Sequence, residues 1–218
     1  DVVRGSSAGV TFRLMRLRGD RLGAFKEALQ WETLYSHLRA SAEQGQKFGR
    51  VLEQALARLE ADDELVVLRI EEQRTTGLTG AEQGSGSNFA ALTRNNLDSN
   101  KETSGAGGAF GLGKAVLWRT SSLSTVLFNS DLAVPQGGKQ EGRLIGRTEL
   151  SFHETQDGQF AGPGWFGRIT DGPAVSYWGN RALARDLLLD RTRGVAGTSI
   201  LVVGFHDPTA EEPPPVDD

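Results

Sequence analysis

Two short apolar runs constrain the fold of this chain more than any other feature. ELVVLRI at 64–70 and GTSILVVGF at 197–205 are strongly apolar and too short for helices of ordinary length. Both runs therefore predict strands, and the fold must contain a sheet. Further strands are predicted at 10–17 (VTFRLMRL), where apolar residues alternate, and at 124–130 and 143–152.

In other parts of the chain, apolar residues recur at the spacing of an α-helix. This spacing predicts helices at 22–43 and 48–61, the second with one continuous apolar stripe, and further helices at 111–121 and 182–189. Helices come first along the chain, and strands interleaved with a helix follow. This order predicts an α/β protein, a two-layer α/β sandwich whose mixed, mostly antiparallel sheet is covered on one face by helices.

The length of 218 residues suits one domain with a short appendage. We expect the domain to span 1–208. TAEEPPPVDD at 209–218 is rich in proline and acidic residues, which is typical of a linker or a disordered tail.

Composition excludes several kinds of function. A net charge of −4 gives no overall attraction to nucleic acid or to an anionic membrane. The chain has no cysteine, and His37, His153 and His206 are too scattered for a metal site. No apolar run reaches the roughly 18 residues of a membrane span, and no signal-peptide core is present at the N-terminus, which together predict a cytoplasmic protein.

The most informative motif is the glycine-rich stretch SGAGGAFGLGK at 104–114, directly before a predicted helix. Such turns bind phosphate, because the free N–H groups of a helix N-terminus attract anions. The dinucleotide motif G-x-G-x-x-G fails, since Phe110 stands at its third glycine. The P-loop motif fails as well, because Ala115 stands where a hydroxyl must bind magnesium and no strand precedes the loop.

A third pattern fits both the residues and their order. IEEQRTTGL at 70–78, SNK at 99–101, GGAFGLGK at 107–114 and GTSILVV at 197–203 follow one another along the chain. This order resembles the GHKL ATPase superfamily, which includes gyrase B subunits, ninety-kilodalton heat-shock chaperones, MutL and MORC proteins. The likeness is greatest to MORC-like members and covers residues 64–205. It implies the Bergerat type of α/β sandwich, with ATP and Mg²⁺ as ligands.

The resemblance also implies roles for individual residues. Glu72 would accept a hydrogen bond from the adenine amino group, and Thr198 would support the pocket from the opposite side. The glycines would let backbone N–H groups approach the triphosphate, with Lys114 adding positive charge. The implied nucleotide-binding residues are Glu72, Thr76, Gly77, Leu78, Ser99, Lys101, Gly107, Gly108, Phe110, Gly111, Leu112, Gly113, Lys114 and Thr198.

The chain departs from the superfamily pattern in two places, at the residues that would contact adenine and at the residues that would hydrolyse ATP. Glu72 replaces the preferred aspartate, and Arg74 stands where a glycine is expected. The superfamily also carries an upstream helix with E-x-x-x-N, whose glutamate activates water and whose asparagine binds Mg²⁺. Here Glu32 is the candidate catalytic base, with Ser36 at the asparagine position, and Glu53 with Ala57 is the alternative. The metal ligands are therefore unknown.

Two functions from different classes follow from this resemblance. The first is an ATPase with a nucleotide-gated lid at 80–105, mobile without ligand, which dimerises on binding ATP and acts with a nuclease or another effector in prokaryotic restriction or anti-phage defence. The second is a degenerate domain that binds nucleotide as a scaffold or sensor without hydrolysis. Whether DNA is bound stays open. A sensor kinase is disfavoured, because Leu38 follows His37 where such kinases carry an acid.

Overall fold

The computed structural model describes residues 7–43, 47–84, 86–95 and 114–209. The helices of these ranges are α1 (Gly19–Ala28), α2 (Trp31–Ala42), α3 (Lys47–Asp62), α4 (Asn88–Thr93), α5 (Ala115–Arg119) and α6 (Arg181–Asp186). The strands are β1 (Gly9–Arg18), β2 (Glu64–Gln73), β3 (Ser121–Asp131), β4 (Arg143–Thr148), β5 (His153–Thr155), β6 (Gly158–Phe160), β7 (Gly164–Phe166) and β8 (Gly197–Phe205).

Six of the strands form one sheet in the order β1-β2-β8-β3-β4-β7. Every pair of neighbouring strands in this sheet is antiparallel. The two apolar runs that predicted strands become β2 and β8, which are neighbours in the middle of the sheet. Strands β5 and β6 form a separate hairpin.

One face of the sheet packs against the long helices, and we call it the α1–α3 face. Alternate residues of the strands point to it, among them Leu17, Val67, Leu127 and Leu201, and all are fully buried. The helices contribute the other half of this core through Leu22, Phe25, Leu38, Leu52 and Leu56. The predicted two-layer α/β fold with a mostly antiparallel sheet is thus confirmed.

The other face, which we call the α4–α5 face, carries a smaller core. Val126, Phe128 and Ile145 point to this side and pack against Phe89 of α4 and Trp118 of α5. These short helices cover the β3–β4 part of the sheet. The candidate site lies on this face.

Three features differ from the sequence expectation. The helix predicted at 22–43 is interrupted at Gln30, whose φ of 56° is left-handed, so α1 and α2 are separate helices. Residues 88–93 form α4 inside a stretch expected to be an irregular lid, and Phe89 is fully buried there. Of the helix predicted at 111–121, the structure describes α5 at Ala115–Arg119.

The remaining expectations on organisation concern the membrane and the tail. The helices in the described ranges are all too short or too polar to cross a bilayer. Residues 210–218 of the predicted tail lie outside the described residues.

Candidate functional site

Three adjacent strands end together at the candidate site on the α4–α5 face. The ladder between β2 and β8 ends at the pair Glu71–Ser199, so Glu72 and Thr198 are the next residues along the two strands. Strand β3 lies on the other side of β8, where Ser130 pairs with Thr198. Alternation along the strands directs Glu72, Thr198 and Ser130 to the same face.

Ser130 connects the predicted residues to one another. Its hydroxyl Oγ lies 2.8 Å from the backbone nitrogen of Leu78, which donates to it. The same oxygen lies 3.0 Å from the carbonyl of Gly197 and 3.2 Å from Oγ1 of Thr198. A serine hydroxyl has one proton to donate, so the bonds to Gly197 and to the Leu78 amide are satisfied together when Thr198 donates to Ser130.

Gly77 has a structural reason to be glycine. Its φ is +74°, in the left-handed region, and a Cβ atom would lie 2.5 Å from the carbonyl oxygen of Asp131 and 2.9 Å from Oγ of Ser130. The preceding residue, Thr76, accepts a backbone hydrogen bond from Ala133 at 3.1 Å. The turn from Thr76 to Leu78 is therefore pressed against the end of β3.

Glu72 has an available carboxylate oxygen. Oε1 accepts a hydrogen bond from the Thr75 hydroxyl at 3.0 Å, and Oε2 has no hydrogen bond to any described residue. The side chain is half-buried. Glu72 can therefore accept a hydrogen bond from a ligand beside the turn.

Arg74 does not crowd this carboxylate. Its side chain is exposed and its Nη1 lies 3.5 Å from the carbonyl of Ser7. The backbone at Arg74 has a φ of 61°, the conformation that glycine adopts most readily. A glycine at this position would relieve that strain.

Arg191 holds the main chain of the site from the α1–α3 face. Its guanidinium donates to the carbonyl of Glu72 at 3.0 Å and to the hydroxyl of Ser199 at 2.9 Å. Burial lowers the pKa of Arg191, while Asp131, 3.6 Å away, acts in the opposite direction. Burial also raises the pKa of Asp131, against the bond from the Gly142 amide and the charge of Arg191. Gly197 packs so closely that its Cβ would lie 2.3 Å from the Glu72 carbonyl.

Arg143 holds the other end of the turn from the α4–α5 face. Its Nη1 donates to the carbonyls of Leu78 and Gly80, both at 2.8 Å, and its guanidinium lies 3.5 Å from the ring centre of Phe89. Burial lowers the pKa of Arg143, and its ion pair with Glu82 at 3.2 Å opposes this. Burial alone would raise the pKa of Glu82, but bonds from Ser176 and Arg143 hold it below its usual value.

Lys114 binds α4. It precedes α5, and its ammonium donates to the carbonyls of Ala91 and Asn95 near the end of α4. Because α4 begins where the Phe89 amide donates to the Thr79 carbonyl, α4 connects Lys114 with the turn that holds Gly77. Lys114 therefore contacts the α4–α5 face, which also carries Glu72 and Thr198, and its ammonium donates to carbonyl groups there.

Glu32 is not brought to this cluster. It is exposed on α2, which packs through Leu38 against the α1–α3 face. The alternative, Glu53, is also exposed, on α3 of the same layer. Thr198 and Leu78 belong to the opposite side of the sheet. The remaining predicted residues, Ser99, Lys101, Gly107, Gly108, Phe110, Gly111, Leu112 and Gly113, lie outside the described residues.

Sequence patterns did not identify the residues that organise the site. Ser130, Arg143 and Arg191 lie in no recognisable motif, and their roles follow from strand register. The one available signal was a pair of arginines, Arg143 and Arg147, at alternate positions of a predicted strand, because arginines that become buried require several acceptors. In the described part of the chain, no group of three or more histidine or acidic residues is arranged to hold a metal.

Searches with this chain found no matching family model, curated protein or solved structure.

Proposed function

We propose that the chain binds an adenine nucleotide at the ends of β2, β8 and β3, as the GHKL resemblance implies. The observation that carries this proposal is the position of three predicted residues: Ser130 joins Leu78 to Thr198, and Glu72 is the next residue on the neighbouring strand β2. Glu72 and Thr198 are 126 positions apart in the sequence, and the motif pattern predicts them as parts of one site.

Each group in the cluster suits one part of such a ligand. The available Oε2 of Glu72 would accept a hydrogen bond from the adenine amino group. The Thr198 hydroxyl, held by Ser130, would face the base from the neighbouring strand. Lys114 would contribute a charge to the phosphates after exchanging its carbonyl partners for phosphate oxygens, which attract an ammonium more strongly.

Of the two functions that the resemblance allows, the position of Glu32 favours binding without hydrolysis. A general base must lie within hydrogen-bond reach of the water it activates, directly or through one water. Glu32 and Glu53 lie in the helical layer on the other side of the sheet, so neither meets this condition. Mg²⁺ would arrive with the nucleotide, and we assign no described residue to it.

The wider setting follows the same resemblance. We propose a cytoplasmic nucleotide-dependent module of a prokaryotic defence protein that pairs with a second copy when nucleotide is bound and passes this state to a nuclease or another effector. ATP hydrolysis is the alternative form of this function.

The test is calorimetric titration of the full chain with a non-hydrolysable ATP analogue and Mg²⁺. We expect saturable heat for the wild type and an affinity lower by about tenfold for Ser130→Ala, because the loss of one organising hydrogen bond costs about 1–1.5 kcal/mol. Ser122→Ala is the matched control, since Ser122 lies on the same strand and bonds to Gly204 at the far end. No heat at millimolar ligand would overturn the proposal.

Phosphate release separates the two forms of the function. We expect none above background from the wild type over hours. Sustained release that disappears in Ser130→Ala would instead show that the chain is an ATPase.

A further inference from the structure

Strand β1 lies at one edge of the sheet. Its ten residues pair with β2 on one side, and no strand of the described ranges pairs with its other side. Half of the backbone N–H and C=O groups of an edge strand point outward, where they can pair with another strand. The ladder with β2 is continuous and β1 contains no proline, so the outward groups follow one another in regular order.

The first half of β1 is exposed on both faces. All five residues of Gly9–Arg13, which we call the exposed segment, are exposed, whereas Met15 and Leu17 in the second half are buried under the helices of the α1–α3 face. In the described part of the chain, neither layer of helices therefore covers the exposed segment. Another strand can approach the edge along this half of β1.

The exposed segment is apolar on the α4–α5 face. Val10 is 58% exposed and Phe12 is 67% exposed, and alternation along the strand directs both to this face, away from the buried residues of the second half. An uncovered, regular edge with apolar side chains favours pairing with another strand. The other face of the segment carries Thr11 and Arg13, of which only Arg13 is charged.

The exposed segment is complementary to itself. Thr11 is its central residue, so an antiparallel pair of two copies centred on Thr11 places Val10 of one copy opposite Phe12 of the other. Aromatic and β-branched side chains directly opposite each other stabilise a sheet, and opposite threonines can bond through their hydroxyls. The same register places Arg13 opposite Gly9 and so keeps the two copies of this arginine apart.

We propose that β1 pairs with β1 of a second copy of this chain, antiparallel and centred on Thr11, without the need of a ligand. The two six-stranded sheets would form one continuous sheet around a two-fold axis. Among the described residues the pairing spans 7–15, so Arg16 and Arg18 lie beyond it and keep their contacts within the chain. Val10 and Phe12 of each copy would cover those of the other.

This surface is adjacent to the candidate nucleotide site and separate from it. Val10 pairs with Glu72 in the ladder between β1 and β2, so one row across the joined sheets would contain Glu72, Val10 and Phe12 of the second copy. The pairing does not rest on nucleotide binding and is measured without nucleotide. Either proposal can therefore fail while the other stands.

The experiment is sedimentation velocity of the full chain without nucleotide, at concentrations from about 1 μM to about 1 mM. We expect a reversible equilibrium of monomer and dimer with a Kd of about 10–100 μM, because the paired area is small. Thr11→Arg should weaken the dimer at least about tenfold, since it places two arginines opposite each other at the axis. Ile169→Ser is the control, because Ile169 is an exposed apolar residue outside β1, and it should leave the dimer unchanged.

Single cysteines test the register, since the chain has none of its own. Opposite residues of an antiparallel pair have Cα atoms about 4.5–5.5 Å apart, which is within the span of a disulfide. Thr11→Cys should therefore give a disulfide-linked dimer under mild oxidation. Arg13→Cys should not, because the two copies of residue 13 would be offset by about four residues, or about 13 Å along the strands.

Three results would overturn the proposal. They are a chain that stays monomeric at about 1 mM, a dimer that is unchanged in Thr11→Arg, and a disulfide that forms as fast in Arg13→Cys as in Thr11→Cys. Protection of the Gly9–Arg13 amides from hydrogen exchange in a dilute monomer would also overturn it, because the edge would then be paired with another segment of the same chain.

Discussion

The residues at the candidate site differ in what requires each residue type at its position. Gly77 is required by its backbone conformation and by the Asp131 carbonyl beside it, whereas the carboxylate of Glu72 accepts a hydrogen bond from Thr75 through one oxygen and keeps the other available. Ligand recognition is expected at a polar group that the fold leaves available, such as this carboxylate oxygen, when it lies beside residues that the fold requires. Variants at these two positions should therefore affect different properties.

Gly77→Ala should destabilise the fold by about 2–4 kcal/mol, because strain at a left-handed φ adds to a steric clash in a packed region. Gly138→Ala is the control, since Gly138 has the same φ of +74° and a Cβ there meets nothing within 4 Å. Urea unfolding of both variants separates the two contributions. Equal losses of stability would show that the contact with Asp131 carries no cost.

Glu72→Ala should lower the free energy of unfolding by only about 1 kcal/mol, through loss of the bond from Thr75, and should weaken nucleotide binding. One hydrogen bond to a charged group contributes about 1.5–3 kcal/mol, so affinity for the ATP analogue should fall roughly ten- to a hundredfold. Inorganic triphosphate, which has no base, should bind to the variant as it does to the wild type. An equal loss for both ligands would mean that Glu72 does not contact the adenine.

Among the secondary-structure elements, α4 and the β5–β6 hairpin are held by polar contacts as well as by apolar burial. Helix α4 has only six residues, and the buried Arg143 and Arg147 donate to carbonyls on both sides of it. The hairpin joins α2 through a hydrogen bond of 2.9 Å between Nδ1 of His37 and Nε2 of His153. Each attachment can be broken by a single substitution.

Arg143→Met should detach the segment at 78–82 from the sheet. The carbonyls of Leu78 and Gly80 would lose the donor that Arg143 supplies, and Glu82 would lose one of its several donors. We expect a loss of about 2–4 kcal/mol, with faster amide exchange in α4. Arg119→Met removes an exposed arginine from α5 and should change stability by less than about 0.5 kcal/mol. Unchanged exchange in α4 of Arg143→Met would contradict this role.

The histidine pair should make the hairpin sensitive to pH. Burial and the neighbouring His153 lower the pKa of His37, against a smaller effect of Asp157 that raises it. The unfolded chain therefore binds protons more readily than the folded one. Stability should be complete above the unfolded value of about 6.5 and should fall as the pH drops below it. His37→Gln should remove this part of the pH dependence of unfolding, and His206→Gln should not.

For the whole molecule, sequence patterns predicted the regular parts of the fold and missed the irregular ones. Strands β2 and β8 are short continuous apolar runs and helix α3 has a periodic apolar stripe, and all three were predicted. The break at Gln30 was missed because a left-handed residue leaves the apolar spacing on both sides intact. Strands β5, β6 and β7 have three residues each, too few for any period to show.

The candidate site was predictable only in the residues that resemble a motif. The residue types of the motif and their order along the chain predict Glu72, Gly77 and Thr198. Ser130 joins them only because β3 pairs with β8 in a register that places it opposite Thr198, and local sequence does not encode that register. The side of the sheet on which Glu32 lies is likewise a property of the topology, which local sequence does not encode.

The most direct test of the central claim is an amide chemical-shift titration of the full chain with the non-hydrolysable ATP analogue and Mg²⁺. The nucleotide-binding account predicts saturable shifts at Gly77, Leu78 and Thr198 on the α4–α5 face, with α2 and Glu32 unaffected. Shifts confined to the α1–α3 face, or none at millimolar nucleotide, would contradict it.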